Sequence, residues 1–356
     1  MSVHTATHPC FALTVPGLET LAAAEIEQRL GAEIKRTEPG LVLFRPEAVD
    51  RRLFRLRLVE DLFLYAWGTD QLTYRAADLK LITQWTRREA DWPRLFQLHH
   101  AVAARPKRKP SYHLVAQMRG EHGYRRTDAR DALLAGLKES IPPSWQPRTE
   151  RAAVEIWLRI EGKRAVCGVR LSDERLRHRP YKEEHLPASL RPVVAAAMVR
   201  LAAPRPEEWL VDPLCGAGTI LAERLAEQRD ALILGGDCDR TAVRATVTNL
   251  RHWREEPPIA LWDATELPLA DDALSCLATN LPFGRQIGTP ADLGPFYSEL
   301  LDEFQRVLRA GGRAVLLVGD DQALQRPAFR LGWQQEERVR LRLLGHPCYL
   351  MKWRKP

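Results

Sequence analysis

The chain has 356 residues, of which 45% are hydrophobic and 28% charged, and its formal net charge is +7. That length suggests two or three domains with sizeable cores, and the composition is typical of soluble globular proteins. No apolar run reaches the roughly 18 residues that a membrane helix needs, and the N-terminus lacks the basic and apolar regions of a secretory signal. We therefore exclude the membrane and secreted classes and expect a cytoplasmic protein.

The cysteines and histidines give no sign of a metal centre or of a disulfide framework. The six cysteines, at positions 10, 167, 215, 238, 276 and 348, form no C-x-x-C pair, and the ten histidines show no ligand spacing. Such scattered thiols are typical of reduced, mostly buried cysteines. The pattern predicts that no metal is bound.

Positive charge is concentrated in the first half of the chain. Residues 1–190 carry 32 Lys and Arg against 24 Asp and Glu, whereas residues 191–356 carry 21 against 22. A basic half joined to a nearly neutral half favours a polyanion as the partner of the first half. A basic surface that meets only solvent would give the same count, so this alternative stays open here.

In chain order, the residue pattern of the first half predicts a β-α-β unit at the N-terminal end, then a less regular stretch, then a group of strands around one helix. The predicted elements are a strand at 10–15, a helix at 18–30, strands at 40–46 and 111–118, a basic turn running into a helix at 119–141, and two strands at 152–171 around the turn Glu161-Gly162-Lys163. The stretch 66–112 is less regular and ends in the stiff basic loop 105–110. A polar, proline-containing linker is predicted at 172–192.

The second half alternates regularly between strands and helices. The predicted elements are helices at 193–202, 219–228, 240–253 and 296–310, strands at 207–212, 231–237, 259–263, 273–279 and 313–319, and two further apolar stretches at 338–344 and 348–353. Strands that alternate with helices predict a parallel, doubly wound sheet and hence an α/β fold. Gly345 and Pro347 separate the last two stretches, which predicts an antiparallel hairpin at the edge of that sheet.

A glycine-rich turn follows the first strand of the second half, in "LVDPLCGAGTI" (210–220). Gly216 and Gly218 let the backbone turn tightly and approach a ligand with no side chain in the way. Leu221 stands where a dinucleotide-binding turn has its third glycine, and no G-K-[ST] follows as in a P-loop. A tight turn that binds nothing stays open on this motif alone.

Three aspartates stand at predicted strand ends: Asp212, Asp237 and Asp263. The carboxylate at the end of the second strand can accept both ribose hydroxyls of a nucleoside, and Asp263 can accept a proton of an adenine amino group. Because the carboxyl ends of parallel strands meet at one edge, the three fit a cofactor that lies across the switch point of the sheet. Each aspartate alone could equally be a helix cap or a turn residue.

Four motifs, "DPLCGAGT", "GGDCD", "WDATELP" and "TNLPFG", occur in this order and resemble the motif set of S-adenosylmethionine-dependent methyltransferases. The N-L-P-F form is similar to the motif of those that act on exocyclic amino nitrogens. The segment 177–202 resembles one that precedes this domain in one subgroup. The first half, from "FALTVPGLETLAAAEI" to "CGVRLS", resembles a ferredoxin-like domain followed by a THUMP RNA-binding domain. Nearly the whole chain thus resembles the THUMP-containing RNA guanine-N2 methyltransferases.

This resemblance implies a domain order, a cofactor and a substrate. The implied domains are a ferredoxin-like domain at 1–66, a THUMP domain at 67–171, a linker at 172–192 and a Rossmann-like methyltransferase domain at 193–356. The implied cofactor is S-adenosylmethionine. Within the family, the resemblance is closest to the enzymes that methylate guanosine at position 6 of the tRNA acceptor stem. The implied partner is therefore tRNA, through its acceptor stem and 3′ end, and we expect the protein to be a monomer.

The resemblance also suggests how "TNLPFGR" (279–285) would work. The amino group of guanine is a poor nucleophile because its lone pair is delocalised into the ring, and two acceptors aimed at its two protons would favour a tetrahedral nitrogen. Asn280 Oδ1 and the backbone carbonyl of Leu281 are the predicted acceptors. Pro282 restricts Leu281 to an extended backbone, and Phe283 offers a face on which an extruded base can stack. The predicted catalysis is positioning and hydrogen bonding, without a strong base.

Further site residues complete the prediction. The cofactor contacts that the resemblance implies are Asp212, Gly216, Ala217 and Gly218 along the methionine part, Asp237 at the ribose, Asp263 and Ala264 at the adenine, Asn280 at the reacting end, and His185, Leu186, Pro187, Ala188 and Ser189 as a cover. The predicted RNA contacts are Arg105, Lys107, Arg108, Lys109, Arg125, Arg126, Arg130 and Arg285, with His122 and Tyr124 placed to stack on a base or reach a sugar. Leu281 departs from the family, in which Pro is common, but the carbonyl role belongs to the backbone.

Three hypotheses compete. The first is methylation of guanine N2 in tRNA, with another tRNA position or ribosomal RNA as the alternative target. The second is methylation of another amino group, in DNA or in protein glutamine, which the N-x-P-F chemistry permits and the first half of the chain disfavours. The third is an RNA-binding protein with a relic cofactor fold, against which Asp237, Asp263 and Asn280 argue.

Overall fold

A computed structural model describes residues 7–103, 110–150, 152–187, 189–283, 293–343 and 345–356. The contacts within the chain separate two units, Met1–Leu13 with Ala22–Leu176 and Thr14–Leu21 with Arg177–Pro356. Each unit contains one large sheet. No helix in the described ranges is both long and apolar enough to cross a membrane.

The first unit is built on a mainly antiparallel sheet. Its strands are β1 (Cys10–Leu13), β2 (Glu33–Glu38), β3 (Leu41–Arg45), β4 (Asp61–Thr69), β5 (Ser111–Arg119), β6 (Gln146–Pro147), β7 (Val154–Glu161) and β8 (Arg164–Arg170). The helices of this half are α1 (Glu19–Leu30), α2 (Ala77–Arg88), α3 (Trp92–Val102) and α4 (Arg126–Lys138), with 3₁₀ turns at Arg51–Arg55 and Glu174–Leu176. The strand order is β2-β3-β1-β4-β8-β7-β5-β6, and β5 runs parallel to both β6 and β7.

Five strands and helices of this unit, β2, β4, β6, α2 and α3, are not predicted by the sequence pattern. β2 reads "EIKRTE" and pairs with β3 at the edge of the sheet, so it buries too little to show an alternating pattern. The buried face of α2 includes Asp78 and Thr86, which interrupts the apolar spacing of a helix. α3 does carry a start signal, because Asp91 caps it through its side chain and Pro93 lies in its first turn.

β4 runs through the boundary predicted between residues 66 and 67. It pairs with β1 on one side and with β8 on the other, so one sheet continues across that boundary. The subdivision of the first half into a ferredoxin-like part and a THUMP part therefore stays a prediction. The predicted turn at 161–163 is present, since Glu161 pairs with Arg164 at the end of the β7–β8 ladder.

The second unit contains a sheet with helices between its strands. The strands are β9 (Leu210–Asp212), β10 (Ile233–Asp237), β11 (Ile259–Leu261), β12 (Leu274–Asn280), β13 (Leu308–Val318), β14 (Gln334–Leu343) and β15 (His346–Arg354). The helices are α5 (Pro192–Ala202), α6 (Thr219–Glu227), α7 (Arg240–Leu250), α8 (Leu293–Val307) and α9 (Asp321–Arg330). The strand order is β11-β10-β9-β12-β13-β15-β14.

This arrangement confirms the predicted fold class. β11, β10, β9, β12 and β13 are parallel, and the β14–β15 hairpin closes the sheet antiparallel to β13. β12 is buried along nearly its whole length, as an apolar run in the middle of a parallel sheet requires. Because β10 lies on one side of β9 and β12 on the other, the winding of the chain reverses between β9 and β12. That reversal is the switch point at which such sheets bind ligands.

Several boundaries in this unit differ from the prediction, among them those of β11, α8 and β13. The third strand ends at Leu261, so Asp263 lies two residues beyond it. α8 ends at Val307, and β13 begins at Leu308 because this residue already pairs with Leu274 before the ladder shifts register. α9 is not predicted, because Pro327 lies inside it and hides its helical pattern.

Candidate active site

Asp212 ends β9 next to β12, at the switch point. Its side chain is 1% exposed, and its Oδ1 accepts a hydrogen bond from the Leu214 N–H at 3.4 Å. Burial raises the pKa of Asp212 to about 7, although the hydrogen bond from the Leu214 N–H lowers it. The carboxyl group therefore exchanges its proton close to neutral pH.

The two glycines of the turn after β9 serve different purposes. Both have left-handed backbones, with φ of 52° at Gly216 and 72° at Gly218, a region that favours glycine. A Cβ on Gly218 would lie 2.7 Å from Thr246 Cγ2, whereas a Cβ on Gly216 would meet no atom within 4 Å. Gly218 thus allows α7 to pack against the turn, and Gly216 leaves open space that a ligand can occupy.

Asp237 ends β10, and its carboxylate is held by backbone groups. Oδ2 accepts a hydrogen bond from the Gly216 N–H at 3.0 Å, and Oδ1 accepts one from the Asp239 N–H at 3.1 Å. The residue is partly exposed. Since each carboxylate oxygen has a second lone pair, Asp237 is fixed in orientation and can still accept the hydroxyls of a ligand.

Asp263 is a turn residue rather than the end of a strand. Its Oδ1 accepts hydrogen bonds from the Thr265 N–H at 2.9 Å and from the Thr265 hydroxyl at 2.7 Å. These bonds hold the pKa of Asp263 below its usual value. The side chain is exposed and Ala264 is buried, so the predicted adenine contact would come from the rim of the site.

Trp262 connects the loops that follow β9, β10 and β11. Its indole Nε1 donates to the Pro213 carbonyl at 2.9 Å, its backbone N–H donates to the backbone carbonyl of Asp237 at 3.2 Å, and its ring fills the space beside Gly236. The buried indole thereby fixes Asp237 relative to the glycine-rich turn.

Residues 179–187, which we call the strap, belong to the second unit although their composition predicts a linker. Arg179 and Tyr181 are 4% and 3% exposed. The Tyr181 hydroxyl donates to Glu223 of α6 at 2.5 Å, and Arg179 pairs with the same carboxylate at 3.3 Å. The strap is therefore anchored to α6 at its first residues.

Asn249 of α7 joins the strap to the glycine-rich turn. Its Oδ1 accepts from the Glu184 N–H at 2.8 Å, and its Nδ2 donates to the carbonyls of Glu184 at 3.1 Å and Ala217 at 2.9 Å. The buried side-chain amide of Asn249 thus makes three hydrogen bonds that join α7, the strap and the glycine-rich turn. This contact brings the strap close to Gly216, as the predicted cover of the cofactor requires.

The predicted cover residues differ in their environment. His185 and Pro187 are exposed. The Ser189 Oγ is buried and has no hydrogen-bond partner in the described part of the chain. Ala188 lies outside the described residues. The roles of these four as cofactor contacts stay predictions.

Asn280 is the last residue of β12, directly after the buried Thr279. The Asn280 Oδ1 is buried and meets no hydrogen-bond donor among the described residues. The following residue is held in place, because the Leu281 N–H donates to the Leu317 carbonyl of β13 at 3.0 Å. An unpaired buried acceptor costs about 1–3 kcal/mol, so its presence at a strand end points to a ligand that supplies the donor.

The rest of the motif is supported by α8 and by the end of β13. The buried Tyr297 hydroxyl donates to the Pro282 carbonyl at 2.6 Å, and burial raises the pKa of Tyr297, which keeps this hydroxyl protonated. The half-buried Phe283 ring lies against Gly319, where a Cβ would come within 3.2 Å of Phe283 Cγ. Both contacts fix the loop that the sequence predicts to hold the base.

Only some of the residues predicted to contact RNA lie in the part of the chain that the structure describes. Arg125, Arg126 and Arg130 are exposed around the start of α4 in the first unit. Arg105, Lys107, Arg108, Lys109 and Arg285 lie outside the described residues. Tyr124 is 6% exposed and its hydroxyl donates to Asp78 at 3.4 Å, so its ring is buried, and its predicted role at a base or a sugar stays a prediction. Within the described ranges, no three His, Cys, Asp or Glu side chains are arranged to hold a metal ion.

Sequence reasoning misses four supporting residues: Thr246, Asn249, Trp262 and Tyr297. Thr246 donates to the Gly216 carbonyl at 2.7 Å and so supports the turn from α7 as Asn249 does. A signal was present for these two, because polar residues stand at helical spacing on a face that also buries Ala242 and Ala245. Trp262 and Tyr297 look like ordinary core aromatics until their polar atoms are located.

A site of this kind on a sheet of this order defines a class, the Rossmann-like methyltransferases. Residues 179–346 match the model of the family UPF0020, described as the RMKL-like methyltransferase domain.

The similarity of the chain to known proteins extends beyond this domain. A cattle relative, tRNA (guanine(6)-N(2))-methyltransferase THUMP3, is 31% identical over 226 residues, which are 58% of this chain and 44% of the cattle protein. The chain thus spans less than half the length of that relative. A Thermus thermophilus relative, tRNA (guanine(6)-N2)-methyltransferase, is 26% identical over 90% of this chain and 92% of its own. The crystal structure of TrmN from Thermus thermophilus shares the fold, with a TM-score of 0.77, 24% identity and coverage of 98% and 99%.

Proposed function

We propose that the protein transfers a methyl group from S-adenosylmethionine to the exocyclic N2 of a guanosine in tRNA, at position 6 of the acceptor stem. The methyltransferase domain supports the reaction type, and the names of the cattle and Thermus relatives support the base, the atom and the position. Methylation of guanine N2 at another tRNA position or in ribosomal RNA is the alternative. We further propose, from the sequence, a THUMP domain in the first half and a cytoplasmic monomer.

The observation that carries the proposal is the buried, unpartnered Oδ1 of Asn280. An exocyclic amino group has two N–H donors, and one of them would satisfy this acceptor. The Leu281 carbonyl follows directly in the chain and would accept the other. A substrate hydroxyl or carbonyl oxygen does not offer two donors on one atom, so the arrangement favours an amino group.

The surrounding residues fit the cofactor. Asp237 presents a fixed carboxylate for ribose hydroxyls, Gly216 leaves space beside the backbone, and Ser189 Oγ needs a partner. Asp212 would lie along the methionine part, and Asp263 with Ala264 would meet the adenine. When bound, the cofactor supplies an electrophilic methyl group on a positively charged sulfur.

The chain's own contribution is to hold the amino group in position for attack. Hydrogen bonds to Asn280 Oδ1 and the Leu281 carbonyl draw the two protons away from the ring plane and free the lone pair of the nitrogen. Phe283 stacks on the base, and Tyr297 keeps the loop in place through Pro282. The proton becomes acidic once the nitrogen carries the methyl group, so no strong base is required.

Replacement of Asn280 tests the proposed acceptor. Asn280→Ala should reduce turnover by roughly 10²–10³-fold, the cost of losing one preorganised polar group, while tRNA and S-adenosylhomocysteine bind nearly as before. Asn280→Asp keeps an acceptor oxygen at the same place and should lose less. Single-turnover methyl transfer and separate binding measurements check this result. Full activity of Asn280→Ala would remove the acceptor from the mechanism.

The substrate tests the target atom from the other side. A tRNA with inosine at position 6 lacks only the exocyclic amino group there, so it should bind and accept no methyl group. Nucleoside mass spectrometry of the products identifies any methylation that continues. N2-methylguanosine from another position would retain the chemistry and move the site, whereas any other methylated nucleoside would reject the proposed function.

A further inference from the structure

The first unit exposes a tyrosine in a strained turn. Tyr74 is 38% exposed and has φ of 65°, a left-handed backbone that bulky residues rarely adopt. The turn is held in this state, because the Tyr74 carbonyl accepts a hydrogen bond from the Gly123 N–H at 2.7 Å. A conformation that costs about 1–3 kcal/mol persists only where the surroundings enforce it.

Three segments meet at this tyrosine. The His122 ring lies 5.1 Å from the Tyr74 ring on one side and 5.1 Å from the buried Tyr124 ring on the other. Gly162 lies beneath the tyrosine, since a Cβ there would be 3.3 Å from the Tyr74 hydroxyl. Both ring nitrogens of His122 are buried and have no hydrogen-bond partner in the described residues. The stack therefore ends in one exposed aromatic face and contains polar atoms that lack partners.

Cations surround this aromatic face. Arg75, Arg119, Arg125 and Lys163 are exposed, and backbone hydrogen bonds place their segments together: Gly162 N–H to the Arg119 carbonyl at 3.2 Å and Leu72 N–H to the Lys163 carbonyl at 2.9 Å. Four carboxylates belong to the same turns. Asp78 is buried and accepts from the Thr73 N–H, Asp128 accepts from the Arg125 N–H, Glu161 is paired with Arg159 at 3.0 Å, and Glu121 is exposed. Among the exposed charged side chains of these turns, positive charge therefore predominates.

We infer that Tyr74, His122, Arg75, Arg119 and Lys163, which we call the Tyr74 surface, bind an unpaired nucleotide of the RNA substrate. An exposed aromatic face flanked by cations offers stacking to the base and ion pairing to the phosphates on either side. A base inside a duplex is already stacked on its neighbours, so the surface selects a single strand. This inference rests on the proposed function, which takes RNA as the substrate. It adds the place at which the first unit binds that RNA.

Tyr74→Gly separates binding from stability. Glycine adopts the left-handed backbone without strain, so the variant should unfold at a temperature close to that of the wild type. It should nevertheless bind a labelled eight-nucleotide single-stranded RNA at least about fivefold more weakly, because it has lost a stacking face. Tyr74→Trp should restore the affinity. The same strand in a duplex should bind both variants like the wild type, as fluorescence anisotropy would measure.

The cations are tested by salt. Changing Arg75 and Lys163 together to Ala should reduce the slope of log Kd against log salt by about 0.7 for each phosphate of the single-stranded RNA that these side chains no longer neutralise. Lys138→Ala is the matched control, because Lys138 ends α4 roughly 18 Å from the start of that helix at Arg126. An unchanged slope in the double variant would remove these cations from the surface.

The outcomes separate this inference from the proposed function. If the wild type binds RNA and Tyr74→Gly binds it equally well, the Tyr74 surface is rejected and the assignment of Asn280 is untouched. If Tyr74→Gly weakens binding while inosine at position 6 is still methylated, the surface stands and the target nucleotide moves. If the wild type binds neither tRNA nor single-stranded RNA, both fall.

Discussion

At the scale of single residues, the polar groups at the switch point differ in how far structural partners limit what they can do for a ligand. Asp237 uses one lone pair of each oxygen on Gly216 and Asp239 and has others free. Asp263 is bound to Thr265 on one oxygen. Asn280 Oδ1 has no partner in the described part of the chain. Of these three groups, Asn280 Oδ1 is therefore the one that requires a hydrogen-bond donor from a ligand.

The role of Asp237 can be separated from its support of the turn. Asp237→Ala should weaken binding of S-adenosylhomocysteine, because it removes hydrogen bonds from a charged acceptor to two hydroxyls, each worth about 1.5–3 kcal/mol. The 2′,3′-dideoxy analogue of S-adenosylhomocysteine lacks those hydroxyls, so Asp237→Ala should weaken its binding much less. Calorimetry of both ligands on both proteins gives the difference. An equal loss for the two ligands would mean that Asp237 only holds Gly216 in place.

At the scale of elements, the site is assembled by helices that do not themselves carry predicted ligands. α7 supports the glycine-rich turn through Thr246 and joins it to the strap through Asn249. α8 supports the Asn-Leu-Pro-Phe loop through Tyr297. The strands present the functional residues at one edge because their carboxyl ends coincide there, and the helices then fix the loops.

Asn249→Ala tests whether the strap is held ready for the cofactor. The substitution removes three hydrogen bonds between α7, the strap and the turn. A loosened strap must be ordered when the cofactor binds, so S-adenosylhomocysteine affinity should fall by roughly tenfold, about 1.4 kcal/mol. Calorimetry measures this affinity, and thermal unfolding measures the accompanying loss of stability.

Tyr181→Phe is the matched control for Asn249→Ala. It removes one hydrogen bond between the strap and Glu223 of α6 but leaves the contact between the strap and the glycine-rich turn intact. We expect it to lower the unfolding temperature with little change in cofactor affinity. Equal losses of affinity in the two variants would assign Asn249 to general stability alone.

At the scale of the whole molecule, the charge is uneven and the two units carry different parts of the proposed reaction. Most basic residues of the first half lie in the unit with the mainly antiparallel sheet, and the switch-point residues lie in the unit with the parallel sheet. A salt-dependent attraction for RNA is therefore expected from the first unit. The cofactor affinity of the second unit depends on specific contacts and should vary less with salt.

Asp212 should make the stability of the folded chain depend on pH. Its pKa is about 7 in the folded chain, against about 3.9 in an unfolded chain. The folded state thus holds the proton more tightly, so the free energy of unfolding should fall as pH rises from about 4 to about 7 and level off above. Asp212 contributes a slope of at most about 1.4 kcal/mol per pH unit.

Asp212→Asn should remove that slope, which chemical denaturation between about pH 5 and 8 would measure. Asp263→Asn is the control. The pKa of Asp263 lies below its usual value, so its stabilising contribution is lost only as pH falls, and the slope near neutral pH should stay unchanged. A slope that survives in Asp212→Asn would place the proton elsewhere.

Local sequence determined most of the architecture of the second half. The strand and helix pattern predicts the parallel sheet and its edge hairpin, because buried parallel strands are continuous apolar runs and the helices between them repeat every 3.6 residues. The motif order places Asp212, Asp237 and Asn280 at strand ends, and the structure agrees. These features depend on residues near one another in the chain, which is why they can be read from it.

Tertiary structure alone decided the rest. The strap looks like a linker until Asn249, sixty-five positions away, is found bonded to Glu184. Gly216 and Gly218 are equivalent in the motif, and only the position of Thr246 shows which one packs and which one leaves space. The strained turn at Tyr74 is held by a hydrogen bond from Gly123, and Gly162 leaves room for the tyrosine hydroxyl, so two other segments decide its surroundings. Such contacts join residues that are distant in the chain, so no local pattern of side chains encodes them.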